Sequence, residues 1–164
     1  MSAANATYAG AHGASRSPVA QGIRNGLIAS LAMAMIMMVL GAFDTGFFAA
    51  PSSIWAFFAG PDAYAPHTLS LSFVLGAMGH MMNSAVLGIV FAFVASRVLR
   101  ISGVPAAVVA GTVYALVVMA LMFVVVLPAF PNGAIVIDSA ALWIWIAGHV
   151  AYGMVAGLLY SIWR

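Results

Sequence analysis

The chain has 164 residues, 65% hydrophobic and 5% charged, with five Lys plus Arg against three Asp plus Glu and a formal net charge of +2. So little polar surface cannot coat a water-soluble particle of this size, and five dispersed arginines form no basic stripe that would follow a nucleic acid. Cysteine is absent, which removes disulfides, thiol nucleophiles, iron–sulfur clusters and thiolate zinc sites together.

Residues 1–21 are rich in Ala, Gly and Ser without an apolar period, and this composition predicts a disordered tail. The rest, residues 22–164, reads as one membrane domain. A first apolar run covers about residues 23–43, long enough for the roughly 20 residues that cross about 30 Å of hydrocarbon as a helix, and reads as a retained signal anchor. The link that follows, residues 44–67, is long and aromatic. Within it, Ser52 or Ser53 is expected to cap a short helical segment over about 51–60, through Ile54, Trp55, Phe57 and Phe58, which Gly60 and Pro61 end. Too short to cross, this segment is expected at the interface, on lipid headgroups or alternatively as a lid over the helices.

Further runs over about 69–96, 104–127 and 139–163 complete four spans. The short links at 97–103 and 128–138 force antiparallel neighbours, so the fold class is all-α, an up-down transmembrane four-helix bundle. Arg16, Arg24, Arg97, Arg100 and Arg164 occupy one set of gaps, and Asp44, Asp62 and Asp138 the other. Because cytoplasmic segments retain Arg, both termini are expected in the cytoplasm, with the chain in a bacterial cytoplasmic membrane. Trp143 and Trp145 at one end of the last span, and Tyr160 and Trp163 at the other, fit aromatic belts at the two interfaces.

Residues 79–91, GHMMNSAVLGIVF, parallel residues 148–160, GHVAYGMVAGLLY. Small residues at spacing four, Gly22, Gly26 and Ser30 in the first span and Gly103, Ala107, Gly111 and Ala115 in the third, echo one another. The chain therefore reads as two tandem two-span hairpins related about the membrane normal. Ser84 with Gly88, and Gly153 with Gly157, add the same small-x3-small spacing, which lets helix backbones approach. The repeated Gly-His-x2-[Asn/Tyr]-[Ser/Gly]-x3-Gly pattern resembles that of small bacterial four-helix membrane proteins, with Ser84 standing where the pattern usually has Gly. The resemblance implies the fold and brings no activity with it.

His80 and His149 lie about a dozen residues inside their spans, at matching depth, where a polar group needs a partner. One reading is interhelical hydrogen bonding, to Asn83, Tyr152, Thr112 or a backbone carbonyl. Another is a b-type haem between the two imidazoles, with Gly79 and Gly148 leaving room for the macrocycle, although no Arg or Lys lies at mid-span to neutralise propionates. Two histidines fall short of a closed zinc set. His67 with Asp62 is a surface metal candidate, set against the commoner solvated loop histidine. Met33 with Met37 and Met78 with Met82 invite Cu(I), yet flexible apolar filling is the commoner use of methionine.

No phosphate loop, metalloprotease helix or nucleophile elbow occurs. The leading expectation is a non-enzymatic membrane protein without a cofactor, an accessory, assembly or scaffold subunit that associates with other membrane proteins or itself through small-residue faces. The alternative is the bis-histidine haem electron carrier, and the third a small-solute or copper transporter.

Overall fold

The computed structural model describes residues 17–163, so Arg16, Arg164 and the expected tail over 1–16 lie outside the described residues. Six α-helices follow in order: α1 Pro18–Gly41, α2 Ala49–Ala59, α3 Leu71–Phe93, α4 Val104–Leu121, α5 Gly133–Ile137 and α6 Leu142–Trp163. Wide i→i+5 turns extend α3 through Val94–Val98 and α4 through Met122–Val126. Among the described residues four helices are long and apolar enough to cross a membrane: Pro18–Gly41, Leu71–Val98, Val104–Ala129 and Leu142–Trp163.

The first helix starts earlier than composition predicts. Pro18 fits the first helical position, where its missing N–H is no loss, and the Ser17 hydroxyl accepts from the Val19 N–H at 3.3 Å. Gln21, assigned above to the tail, is instead buried, and its amide donates to the Tyr160 carbonyl at 3.2 Å. Turned so that both ends are satisfied, the neighbouring Asn25 amide donates to the Gln21 carbonyl and accepts from the Tyr160 N–H, each at 3.2 Å. These polar residues tie the start of α1 to the end of α6.

The long helices stand in the order α3, α1, α6, α4. Their contacts are antiparallel: Gly22 and Gly26 near the start of α1 meet Gly88 and Ser84 in the second half of α3, while Gly111 in α4 meets Gly153 and Gly157 late in α6. Arg24, Arg97 and Arg100 consequently gather at one end of the bundle and Asp44, Asp62 and Asp138 at the other. With no hydrophobic drive between helices in lipid, such close backbone approach is how they hold together, through dispersion. Central α6 has 44% of its span window buried, against 11% for peripheral α4. Val109, Val113, Val117 and Leu121, spaced by four, face outward from α4.

Gly103 does not belong to this packing set. It is exposed, an added Cβ would meet nothing within 4 Å, and its φ of 84° makes it the left-handed residue that opens α4. Ala107, Gly111 and Ala115 carry the α4 contact. Two belt residues also turn inward: Trp145 and Tyr160 are 6% and 3% exposed, while Trp143 remains 58% exposed and Trp163 is covered by the Arg24 guanidinium, 4.0 Å from the ring centre.

Candidate functional site

Helices α3 and α4 adjoin in sequence but stand apart in space, and the gap between them is the main feature of the interior. It forms a cavity of about 480 Å³, within the range of small-molecule sites. Helix α3 contributes His80, Asn83 and Leu87 to one wall, α4 contributes Tyr114, Val118 and Met122 to the opposite one, and α6 contributes Trp145, His149 and Tyr152 to the back. From Trp145 to Tyr152 the cavity rises about 10 Å along α6.

Helix α2 roofs the cavity with Ile54, Phe57 and Phe58. Its buried face, Ala49, Ala50, Ser52, Ser53 and Ala56, rests on α3, where Gly76 permits contact with the Pro51 carbonyl. The serines do not cap the helix as expected, because α2 begins three residues earlier. Both hydroxyls, completely buried, donate within the first turn, Ser52 to the Ala49 carbonyl at 3.1 Å and Ser53 to the Ala50 carbonyl at 2.8 Å. Asn132 fixes the far end of α2 by donating to the Phe57 carbonyl at 3.1 Å, and the Phe130 ring packs edge-on against Phe57 at 5.3 Å. The segment thus covers the cavity at the aspartate-bearing end, with Phe58 left exposed on its outer side.

At the floor, Tyr114 donates to the Leu87 carbonyl at 2.9 Å and Tyr152 to the Ser84 carbonyl at 3.0 Å. Tyrosine hydroxyls thus make interhelical hydrogen bonds here, and His80 reaches the Ser30 backbone across to α1, as expected of a spanning histidine. His149 bonds within its own helix, its Nδ1 lying 2.8 Å from the Trp145 carbonyl. Since a carbonyl only accepts, Nδ1 carries the proton, which leaves Nε2 of the neutral ring as an acceptor. The other candidates make other contacts: Thr112 donates to Val108 in its own helix, and Asn83 is exposed and makes no hydrogen bond among the described residues.

Two buried polar atoms of residues on this cavity, Nε2 of His80 and the indole Nε1–H of Trp145, have no hydrogen-bond partner among the described residues, and both are turned away from the open space. Each such group costs about 1–3 kcal/mol where water does not compensate. Met82 is 70% exposed and Asn83 is also exposed, although both line the cavity, so its mouth opens sideways between α3 and α4. Tyr114 divides this mouth from a shallow apolar groove further along the same seam, lined by Phe91, Leu99, Pro105 and Val109.

The Gly148 backbone does not make room for a macrocycle. A Cβ there would lie 2.7 Å from Cγ and 3.0 Å from Sδ of Met37, so the glycine accommodates a methionine of α1. Gly79 does face the cavity, with only Ile54 at 3.7 Å from its added Cβ. Met33 and Met37 are buried, packed against Gly148 of α6, while Met78 and Met82 are exposed.

At the aspartate-bearing end, Asp44 accepts from the Ala141 N–H at 2.8 Å and caps α6, and the Thr45 hydroxyl donates to the Ser139 carbonyl. Burial, followed by the nearby Asp44 charge, pushes the Tyr64 phenol above its ordinary 10.0. His67 and Asp62 are both exposed, and no group of three or more potential metal-ligating His, Cys, Asp or Glu occurs among the described residues. Sequence reading missed Trp145 as a site residue. The available signal was its i, i+4, i+7 spacing with His149 and Tyr152, which places all three on one helix face. No family model, no curated protein and no solved structure matches this chain.

Proposed function

We propose that this chain is a non-enzymatic membrane protein that holds a small lipophilic molecule between its helices, as a binding or accessory subunit of the bacterial cytoplasmic membrane. The observation that carries the reading is the roofed, laterally open cavity, lined mostly by apolar and aromatic side chains with Asn83, His149, Tyr114 and Tyr152 among them. A concave, largely apolar space with a few placed polar groups is the usual form of a small-molecule site. Association through the small-residue faces has less support, because Gly22, Gly26, Gly88, Gly111, Gly153 and Gly157 all meet neighbouring helices of the same chain. Partners would instead use the outward valine face of α4.

Two finer expectations belong to the same proposal. Clustering of the described arginines at one end supports cytoplasmic termini. Likewise, Gly111 meeting Gly153 and Gly157 mirrors Gly22 and Gly26 meeting Gly88 and Ser84, which supports descent from a duplicated hairpin of the small bacterial four-helix type. Native mass spectrometry of the detergent-solubilised protein tests the main reading. A retained small molecule, lost in a Gly79→Leu variant that fills the cavity, is the expected result; equal retention by both proteins would refute it.

A bis-histidine haem is the second reading, favoured by one observation: the Nδ1 bond of His149 leaves its Nε2 as a ligand atom, and His80 Nε2 lacks a partner. His80 and His149 would hold the iron, and haem would supply one-electron transfer. The visible spectrum, oxidised and dithionite-reduced, decides. Sharp b-type bands abolished by His80→Ala would support haem, and a colourless folded protein excludes it from the purified state.

A further inference from the structure

We infer that the seam between α3 and α4 carries a second site, at its arginine-bearing end, which holds an anionic phospholipid: an acyl chain lies in the shallow groove beyond Tyr114, and the phosphate meets Arg97 and Arg100. This site is separate from the roofed cavity and does not depend on what fills it. The groove has a volume of about 670 Å³, with Phe91 and Val94 on the α3 side and Pro105, Val109, Val113 and Val117 on α4. Tyr114 closes its inner end, and that hydroxyl already donates to the Leu87 carbonyl at 2.9 Å, so the lining side chains offer no free donor. An apolar occupant is what such a wall accepts. From Pro105 to Val117 the groove runs about 18 Å along α4, against about 15 Å for one leaflet of hydrocarbon. It is therefore about one leaflet deep, and it starts where the arginines gather.

Charge at that end selects the headgroup. Arg97 and Arg100 flank Leu99, which lines the groove, and both are exposed. The acidic residues of the chain, Asp44, Asp62 and Asp138, all belong to the opposite end, so no carboxylate side chain is at hand to neutralise the two guanidinium groups. Arg24, at the same end, is engaged over the Trp163 ring at 4.0 Å. Nor does α4 supply a counter-charge, since no side chain caps it and its first turn has no acidic residue. Guanidinium groups bind phosphate through paired N–H donors on an apolar stem that can lie along the groove edge, and basic sites between spans take anionic headgroups in this way. A zwitterionic lipid would bring an ammonium group against the same arginines. A second copy of this chain, inserted the same way, would bring further arginines to them, and like charges oppose that contact.

Native mass spectrometry of the delipidated full chain tests the inference, with dioleoylphosphatidylglycerol as probe and dioleoylphosphatidylcholine, which has the same acyl chains, as control. One phosphatidylglycerol per chain is expected, bound at least about tenfold more tightly than the control. Arg97→Gln and Arg100→Gln should each weaken it about fivefold, and together about 25-fold, with phosphatidylcholine unaffected. Val113→Trp, which fills the groove, should weaken both lipids, whereas Gly79→Leu, which fills the separate cavity, should weaken neither. Equal affinity of the parent for the two lipids, or an undiminished preference in the double arginine variant, would overturn the inference. So would a dimer of doubled mass that retains no lipid. Should the variants fail to fold by circular dichroism, the parent decides alone at low and raised ammonium acetate: the preference for phosphatidylglycerol must shrink with salt, and a salt-independent preference overturns the role of the arginines.

Discussion

Three glycines on the same bundle differ in what surrounds them, and alanine at each gives a graded test of how these helices hold together. A methyl group at Gly111 would meet the Gly153 carbonyl and stand 3.0 Å from N and 3.1 Å from Cα of Gly157, all backbone. Nothing there can rotate away, so α4 and α6 must separate. Overpacking of this kind costs about 1–3 kcal/mol, and the better helix propensity of alanine returns up to about 1 kcal/mol. Gly111→Ala should therefore destabilise by about 1–2 kcal/mol. At Gly148 the methyl group meets the flexible Met37 side chain at 2.7 Å, and a rotamer change relieves most of the clash. That variant should lie within about 1 kcal/mol of the parent. At Gly79 the nearest atom, of the Ile54 side chain, is 3.7 Å away, so Gly79→Ala should be neutral or stabilised by up to about 1 kcal/mol. Unfolding by titrating dodecyl maltoside micelles with SDS, followed by tryptophan fluorescence and far-ultraviolet circular dichroism, measures the series. Gly111→Ala matching Gly79→Ala would refute the claim that backbone approach holds the bundle. A further internal check is available, since Gly111 and Gly153 press on one seam: their double alanine variant should cost less than the sum of the singles.

Tyr152→Phe removes the hydroxyl that ties α6 to α3 and should cost about 0.5–1.5 kcal/mol in the same titration, with faster amide exchange around Ser84. Tyr114→Phe should behave similarly around Leu87, since it is the hydrogen bond that spans the otherwise open seam. Asp44→Ala deprives α6 of its cap and should cost about 1 kcal/mol, while Asp44→Asn, which still accepts, should cost less. Tyr64 titrates above its ordinary 10.0, so its contribution to stability is complete below that pH and is lost as pH rises toward the higher folded value. A tyrosinate absorbance titration, read as the difference between parent and Tyr64→Phe, should show this, and Asp44→Asn should lower the midpoint by removing a nearby negative charge.

The histidines sit nearer their helix ends than the expected dozen residues, His80 nine after the start of α3 and His149 seven after that of α6. The four long helices were legible in the sequence, because apolar run length is a one-dimensional quantity. So was most of the small-residue packing, since spacing four fixes a shared face. Gly103 fell in the same spacing but lies at the turn that opens α4, where a positive φ rather than close approach selects glycine. Trp145 illustrates the other failure. Distance from a helix end suggested an interfacial tryptophan, whereas its angle around α6 points it inward with His149 and Tyr152. The lid position of α2 depends on contacts with Gly76 and Asn132, each far away in sequence.

The opening between α3 and α4 depends on which side chains meet across each seam. The α1–α3 and α4–α6 seams are closed by backbone-to-backbone contact at glycines, and Gly148 lets α1 and α6 close around Met33 and Met37. The α3–α4 seam instead sets Asn83 and Leu87 opposite Tyr114, Val118 and Met122, and its link across is the long reach of the Tyr114 hydroxyl. A pairing of two similar hairpins would, with equal side chains, give two equal seams between them. Here one closes and one remains open. Gln21, Asn25, Ser52, Ser53 and Ser139 find partners away from the cavity, Tyr114, Tyr152 and His149 find theirs on it, and Asn83 at its mouth makes no hydrogen bond among the described residues. Small residues bring the backbones together at the closed seams, whereas the bulky side chains of the α3–α4 seam hold its helices apart, and the cavity is the space they leave.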